Sequence, residues 1–414
     1  MADRAKKFVF GSIAILLGFI VGFAMLEVAA IAYVFLKEGK YQSAEELFHR
    51  DQNLFIEQVS TANSSCRYVD SLFPHPYLGF VHHGNPPCGI PHINNIGLFG
   101  EDFPAQKRDD RFVVLLTGGS VAAQLGQILG PEKPRYLEEA LNAQYVSPNG
   151  KPFLVLNGGD GAWKQPQQLI LFLMHGDFVN AVVTLDGFNE HYGLTGKMRF
   201  EYPANNFMLA NPLANYNFGQ LVGAWLVGKI AGALRENVIL GHSHLAYYVV
   251  HAVDKWVKRA ETPEDEQRTT IESLFSLPAS WDENKRFAWQ FKRYHSYIIS
   301  MDAVAKSQGV ISAHFIQPVP AIGKQLTEKE RAVVGGLDYR DVYRRMTDKL
   351  LALQKQNVEI FSLLDIFANE RDTLYQDPIH LKIDADGESR GYRIMADRMA
   401  EDLGKAWRLR SKPR

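Results

Sequence analysis

Ser120 is the residue of this chain whose neighbours most favour chemistry, because it follows an apolar run and has matching partners far along the chain. The run 112–116 is typical of a buried strand, and the two glycines before Ser120 allow a sharp turn that exposes its hydroxyl. A serine hydroxyl needs a base, and the base needs an orienting group. Asp377 and His380 are three positions apart, which lets a carboxylate hold the imidazole while its other nitrogen faces the serine. We therefore predict Ser120 as nucleophile, His380 as base and Asp377 as orienting acid.

Two further segments place small or amide residues just past a predicted strand, where an oxyanion site is needed. Residues 157–161 read Asn-Gly-Gly-Asp-Gly, and residues 186–190 read Asp-Gly-Phe-Asn-Glu. The backbone N–H of Gly159 and the side-chain amide of Asn189 are donors that stabilise negative charge on a carbonyl oxygen. With the backbone N–H of Ser120, they form the predicted oxyanion hole.

Ser120, Gly159, Asn189 and His380 occur in this order along the chain. In this order the chain resembles the SGNH (GDSL-type) hydrolase superfamily, whose four blocks contribute a serine, a glycine, an asparagine and a histidine. The resemblance implies a flavodoxin-like sandwich and ester hydrolysis or acyl transfer through a serine. Each block by itself is a weak signal, and the four in order are a strong one.

The resemblance covers about 111–200 and 357–407, and it has three departures. Gly119 stands where many members have aspartate, and Glu190 replaces the final aspartate of Gly-x-Asn-Asp. Nine residues separate His380-Leu381 from Gly391-Tyr392, where a few are usual. Asp160 and Glu190, beside the predicted donors, either shape the charge of the pocket or are solvated loop acids.

Apolar runs alternate with helical patterns from residue 112 onward. This alternation predicts an α/β fold with a doubly wound, parallel, five-stranded sheet, whose ligands bind beyond the carboxyl ends of the strands. The predicted strands are 112–117, 153–156, 180–186, 309–316 and 357–361. The predicted helices are 134–144, 166–175, 283–308, 339–355 and 391–407.

The amino terminus has the pattern of a membrane anchor. Residues 8–26 carry no charge, and after Glu27 the residues 28–36 are again apolar. Together these residues make a helix about 43 Å long, against about 30 Å for a bilayer core. Basic residues precede the run, so the positive-inside rule predicts that residues 1–40 form a cytoplasmic start and a transmembrane signal anchor. A cleaved signal peptide is the alternative, although the apolar run is longer than such peptides have.

The only two cysteines, Cys66 and Cys88, lie just beyond the predicted anchor. If this region is outside the cytoplasm, they can form a disulfide. Two unrelated buried thiols are the alternative, since the pairing depends on the topology.

After the anchor, we predict an extension at 41–110 and a catalytic domain at 111–414. The catalytic domain contains a helical insertion at about 200–282. The centre of the insertion, 218–234, is apolar and carries glycines four apart, which suits close helix contact. The insertion covers the site, lies at the membrane surface, or is a plain core helix; these alternatives stay open at this point.

Composition excludes several classes of protein. With 414 residues, 46% of them hydrophobic, the chain can bury a large core. A net charge of −1 and the lack of a basic cluster argue against nucleic-acid binding. The histidines at 82, 83 and 92 and at 242, 244 and 251 have no recognised metal-site spacing, so we predict no metal and no cofactor.

These features predict a membrane-anchored serine esterase or deacylase with its catalytic domain in the periplasm or outside the cell. Its expected substrate is an acylated carbohydrate or lipid, such as an envelope polysaccharide, on grounds of location and family analogy alone. An O-acyltransferase is the main alternative, because a sugar hydroxyl can intercept the same acyl-enzyme. A non-catalytic scaffold with an envelope protein partner is the third.

Overall fold

The computed structural model describes residues 2–44, 46–47, 71–82, 93–126, 135–202, 237, 240–249, 251–252, 275–384 and 387–413. Contacts divide the chain into two compact units. The helical unit lies within 1–57, 63–67 and 212–268, and the sheet unit lies within 58–62, 68–211 and 269–414. The elements in chain order are α1 Ala2–Glu38, β1 Leu72–His75, β2 Gly79–His82, β3 Phe112–Gly118, α2 Ser120–Leu125, α3 Tyr136–Gln144, β4 Tyr145–Val146, β5 Phe153–Gly159, α4 Gln167–His175, β6 Ala181–Asp186, α5 Phe188–Thr195, α6 Glu283–Gln308, β7 Ile311–Ile316, α7 Glu328–Val333, α8 Arg340–Leu351, β8 Ile360–Ser362, α9 Arg390–Ala406 and β9 Arg410–Ser411.

The sheet unit is built on five parallel strands in the order β5-β3-β6-β7-β8. Counted along the chain, this is the order 2-1-3-4-5 of flavodoxin-like folds, in which ligands bind where the strand order reverses, between the first and third strands. The predicted α/β class and parallel five-stranded sheet are confirmed. The strand that ends before Ser120 is β3, so the predicted nucleophile lies at this switch point.

Helices cover both faces of the sheet because its strands are apolar on both faces. Phe112, Val114 and Leu116 of β3 pack in one core with α3 and α9. Val113 and Leu115 face the opposite core, with α4 and α6. All five side chains are at most 5% exposed, so truncating one to alanine is expected to cost about 2–5 kcal/mol.

A two-stranded antiparallel hairpin, β1–β2, belongs to the sheet unit. Leu78, Phe80 and Val81 bury their side chains in the same core as Leu115 and Trp163. Residues 93–103 close against the hairpin, and the backbone N–H of His82 donates to Gly97 O at 2.7 Å. Residues 71–82 and 93–103 of the predicted extension therefore pack within the sheet unit, and the hairpin supplies two short strands.

In the helical unit, α1 and the described part of the insertion meet at Glu27. Its carboxylate accepts hydrogen bonds from Ser243 Oγ at 2.6 Å, His244 N at 2.6 Å and Leu245 N at 3.0 Å. An acidic side chain that accepts from backbone N–H groups at the start of a helical turn acts as an N-terminal cap. Residues 244–249 are helical, and Glu27 caps them.

Among the residues that the structure describes, no helix combines the length and apolar character needed to cross a membrane. The predicted anchor thus has no support from this finding and stays a prediction. The apolar centre of the insertion, 218–234, lies outside the described residues, as do Cys66 and Cys88 of the predicted disulfide.

Candidate active site

Ser120 is the first residue of α2, directly after the turn that follows β3. Gly118 pairs with Gly159 of β5 on one side and with Leu185 of β6 on the other. This places the serine at the carboxyl ends of the three strands. As the first residue of a helix, Ser120 has a backbone N–H without an acceptor inside that helix.

The structure brings Ser120, His380 and Asp377 into one hydrogen-bonded series. Ser120 Oγ lies 2.7 Å from His380 Nε2, and His380 Nδ1 lies 2.7 Å from Asp377 Oδ2. The tautomer with a proton on Nδ1 suits this arrangement, since Nε2 is then free to accept the serine proton. The three side chains therefore have the geometry of a nucleophile, a base and an orienting acid.

The carboxylate of Asp377 is held by its own loop. Its Oδ1 accepts from the backbone N–H of Ile379 at 2.8 Å and of His380 at 2.7 Å. Burial raises the pKa of Asp377, but the hydrogen bonds and positive charge of His380 and these two N–H groups outweigh it, so the net pKa is lowered. Asp365 follows the last strand of the sheet and is a second acid that could orient the histidine, but it is exposed to solvent.

Gly159 is close to the nucleophile, but its N–H is already engaged. Residue 159 lies against α2 so tightly that a Cβ atom would come within 2.6 Å of Ala123 N, which explains the glycine. Its backbone N–H donates to Asn157 Oδ1 at 3.0 Å, and Asn157 Nδ2 donates to Ala123 O at 3.0 Å. The structure thus places Gly159 beside α2 with its donor directed at Asn157.

Asn189, the second residue of α5, lies beside the glycine that precedes the nucleophile. Its Nδ2 donates one hydrogen bond to Trp163 O at 2.8 Å, which leaves its second N–H for another acceptor. A Cβ atom at Gly119 would collide with this Nδ2 and approach Trp163 O at 3.2 Å. The position of Asn189 therefore favours glycine at residue 119.

Glu190 is a buried cap and not a solvated loop acid. Its Oε2 accepts from the backbone N–H of Gly187 at 2.7 Å, and Gly187 adopts a φ of +138° that favours glycine. Burial, and then the negative charge of Asp186, raise the pKa of Glu190, and burial raises the pKa of Asp186. The Glu190 side chain thus folds back onto the turn before Asn189.

Asp160 is also fully buried, so the interpretation of it as a solvated loop acid is wrong as well. Its Oδ1 lies 3.1 Å from His82 Nε2, a contact between residues 78 positions apart. Sequence reasoning did not connect His82, Asn157 or Trp163 with the site. Only for Asn157, within the Asn-Gly-Gly-Asp-Gly segment, does a local signal exist.

The remaining histidines and acids show no metal site in the part of the chain that the structure describes. No group of three or more metal-binding side chains is found there. His314 of β7 is packed, as its place in a predicted strand indicated, with Nδ1 3.0 Å from Thr184 Oγ1. Its burial lowers the pKa to about 4.

No protein-family model matches this chain, and no curated protein matches it. Its fold is similar to the folds of two solved structures, among others. A GDSL-like lipase from Bacteroides thetaiotaomicron is 12% identical with a TM-score of 0.33, over 73% of this chain and 93% of that one. A protein from Bacteroides fragilis that is described as an acylhydrolase is 11% identical with a TM-score of 0.32, over 73% of this chain and 91% of that one. At such values the functional assignment depends on the geometry of the site.

Proposed function

We propose that the protein is a serine esterase in which Ser120 forms an acyl-enzyme with the acyl group of an ester. The observation that carries the proposal is the unbroken series from Ser120 Oγ through His380 to Asp377, with 2.7 Å at each step. This series lies at the switch point of the flavodoxin-like sheet, which is where such folds bind ligands.

In the first half of the reaction, Ser120 Oγ attacks the ester carbonyl carbon while His380 Nε2 takes the hydroxyl proton. Asp377 keeps the imidazole in the required orientation and stabilises its positive charge. The tetrahedral intermediate then collapses as His380 passes the same proton to the leaving alcohol oxygen, and the C–O bond to that oxygen breaks. The product is an acyl group bonded to Ser120.

In the second half, an acceptor hydroxyl attacks the acyl-enzyme. His380 takes the proton of the acceptor and returns it to Ser120 Oγ as the acyl–serine bond breaks. Water as acceptor releases a carboxylic acid, and a sugar hydroxyl as acceptor makes a new ester. The triad serves both acceptors equally, so esterase and O-acyltransferase share one mechanism up to this step.

The negative charge on the carbonyl oxygen is stabilised by the Ser120 N–H and the second N–H of Asn189. These donors are preorganised, since one is fixed at the start of α2 and the other by its bond to Trp163 O. Gly159 becomes a third donor only when its N–H leaves Asn157 Oδ1, its present acceptor.

We propose an acylated envelope polysaccharide or lipid as the substrate and a single-pass membrane anchor at residues 1–40, with the enzyme outside the cytoplasm. The uncharged run 8–26 and the basic residues before it support the anchor. Exposed apolar side chains on α1, such as Phe10, Ile15 and Met25, also suit an apolar environment. An enzyme held at the membrane meets acyl groups of the envelope.

A serine-reactive fluorophosphonate tests the nucleophile. We expect the intact mass to increase by a single phosphonyl group in the wild type and in Ser307→Ala, and to stay unchanged in Ser120→Ala. Ser307 is exposed on α6, so its variant controls for reactive surface serines. Labelling of Ser120→Ala to the wild-type extent would overturn the proposal. Acetyl release and acetyl transfer to an oligosaccharide, measured on the same protein, then distinguish esterase from transferase.

A further inference from the structure

We propose that His82, in the β1–β2 hairpin, is a positioning residue for the oxyanion hole and acts through the carboxylate of Asp160. The proposal rests on the proposed function, since it concerns the same site. It assigns a catalytic purpose to a hairpin that lies outside the four blocks of the superfamily resemblance.

A buried polar series joins the hairpin to the loop after β5. Ser71 Oγ lies 2.7 Å from His82 Nδ1, and His82 Nε2 lies 3.1 Å from Asp160 Oδ1. The imidazole and carboxylate side chains are both fully buried, and the ring of Phe99 covers the imidazole at 4.4 Å between centroids. The serine hydroxyl can donate to Nδ1, so the fitting tautomer carries its proton on Nε2 and donates it to Asp160.

Asp160 fixes the turn that follows Gly159. Its Oδ1 accepts from Gly161 N at 2.6 Å, and its own N–H donates to Gly118 O at 3.2 Å. At the other end of the turn, Trp163 N donates to Asp160 O at 3.3 Å. The carboxylate and the backbone of Asp160 therefore both define the conformation of residues 160–163.

The conformation of this turn determines the positions of two predicted oxyanion donors, Gly159 and Asn189. Gly159 is bonded directly to Asp160, and Trp163 O holds the amide of Asn189 at 2.8 Å. A small displacement of an oxyanion donor removes much of its effect, because its energy depends on distance and angle to the developing charge. A buried carboxylate that loses a donor gains by moving toward another partner. Loss of the His82 N–H is thus expected to shift the turn and both donors.

Two amide variants of His82 test this positioning role, because their side chains have the same amide group and differ only in length. The amide of His82→Gln corresponds to the Nε2 position and reaches Asp160. The shorter amide of His82→Asn corresponds to the Nδ1 position and reaches only Ser71. We expect His82→Asn to lower kcat about 30-fold with KM within about threefold of the wild type, and His82→Gln to keep kcat within about threefold.

His75→Asn is the matched control, since His75 lies on the same hairpin and its Nδ1 accepts from the backbone N–H groups of Tyr77 and Leu78. It is expected to leave kcat unchanged. Asp160→Ala removes the other partner and also the acceptor of the Gly161 N–H, so it should lower kcat at least as much as His82→Asn does. The double variant should lose little more than Asp160→Ala alone, because the contact between His82 and Asp160 is already broken. If His82→Asn does not fold, the comparison of Asp160→Ala with His82→Gln and the wild type decides the matter.

A folded His82→Asn with wild-type kcat, equal losses for His82→Asn and His82→Gln, or additive losses in the double variant would overturn the positioning role. These outcomes differ from failure of the proposed function, in which the wild-type protein has no ester hydrolysis or acyl transfer that Ser120→Ala abolishes.

Discussion

Replacing Asn189 by alanine removes one donor from the proposed oxyanion hole and leaves the triad in place. The Gly159 N–H is bonded to Asn157 Oδ1, and one N–H of the Asn189 amide is bonded to Trp163 O, so the proposed donors to the oxyanion are the Ser120 N–H and the second N–H of that amide. Loss of one such donor lowers turnover by about 100- to 1000-fold, or about 2.7–4 kcal/mol of transition-state stabilisation. Because so few donors share the charge, we expect kcat to fall toward the larger of these factors while KM changes little.

The effect on folding is expected to be much smaller. The variant loses the hydrogen bond from Asn189 Nδ2 to Trp163 O, which is worth about 0.5–1.5 kcal/mol of unfolding free energy. Asn142→Ala is a matched control, since Asn142 exchanges two hydrogen bonds with the backbone of Phe153 at the opposite end of β5. It should lower stability at least as much, because it loses two hydrogen bonds, without changing kcat.

The assay is steady-state hydrolysis of a chromogenic acyl ester, with thermal unfolding of the same samples. A rise in KM with unchanged kcat would make Asn189 a binding residue. A decrease in kcat of less than about threefold would refute the oxyanion role. A loss of activity that only parallels the loss of folded protein would refute it as well.

Further predictions concern the nucleophile, its neighbour, a buried acid and the topology. Ser120→Ala should lower ester hydrolysis by at least about a thousandfold with unchanged unfolding temperature. Gly119→Ala should lower kcat about tenfold or more, because its methyl group displaces Asn189 Nδ2, and unchanged kinetics would refute the close contact. Glu190 has a raised pKa, so its ionisation opposes folding: wild-type stability should fall as pH rises above its ordinary pKa of 4.5, and Glu190→Gln should weaken this fall in denaturant titrations. A reporter fused after residue 40 should be active only if it works outside the cytoplasm, and a cytoplasmic signal would remove the basis for a Cys66–Cys88 disulfide.

The long helix α6 shows how much local sequence can predict. Its bounds, 283–308, agree with the prediction because both ends carry local signals. Asp282 caps the first turn by accepting from Lys285 N at 2.7 Å, and Gly309 ends the helix in the left-handed region at a φ of +68°. The apolar strands are also local patterns, since a strand buried on both faces is a continuous apolar run.

The buried acids show where the same reasoning fails. Asp160 follows a strand and lies between two glycines, and Glu190 comes three residues after a glycine that follows a strand; both patterns are equally typical of a solvated loop. Whether such a side chain is solvated depends on what packs over it, and for Asp160 that is His82, brought there by a separate hairpin. No pattern within a few residues of Asp160 contains this information.

The sequence by itself determined the α/β class, the order of the strands along the chain and the Asp377–His380 spacing, because each depends on residues that are neighbours in the chain. Only the tertiary structure decided that Ser120 and His380, 260 positions apart, share a hydrogen bond, that Asn157 accepts the Gly159 N–H, and that His82 lies beside Asp160. A hydrogen bond depends on distances of tenths of an ångström between atoms, and such distances are set by the packing of the whole core and not by any one segment.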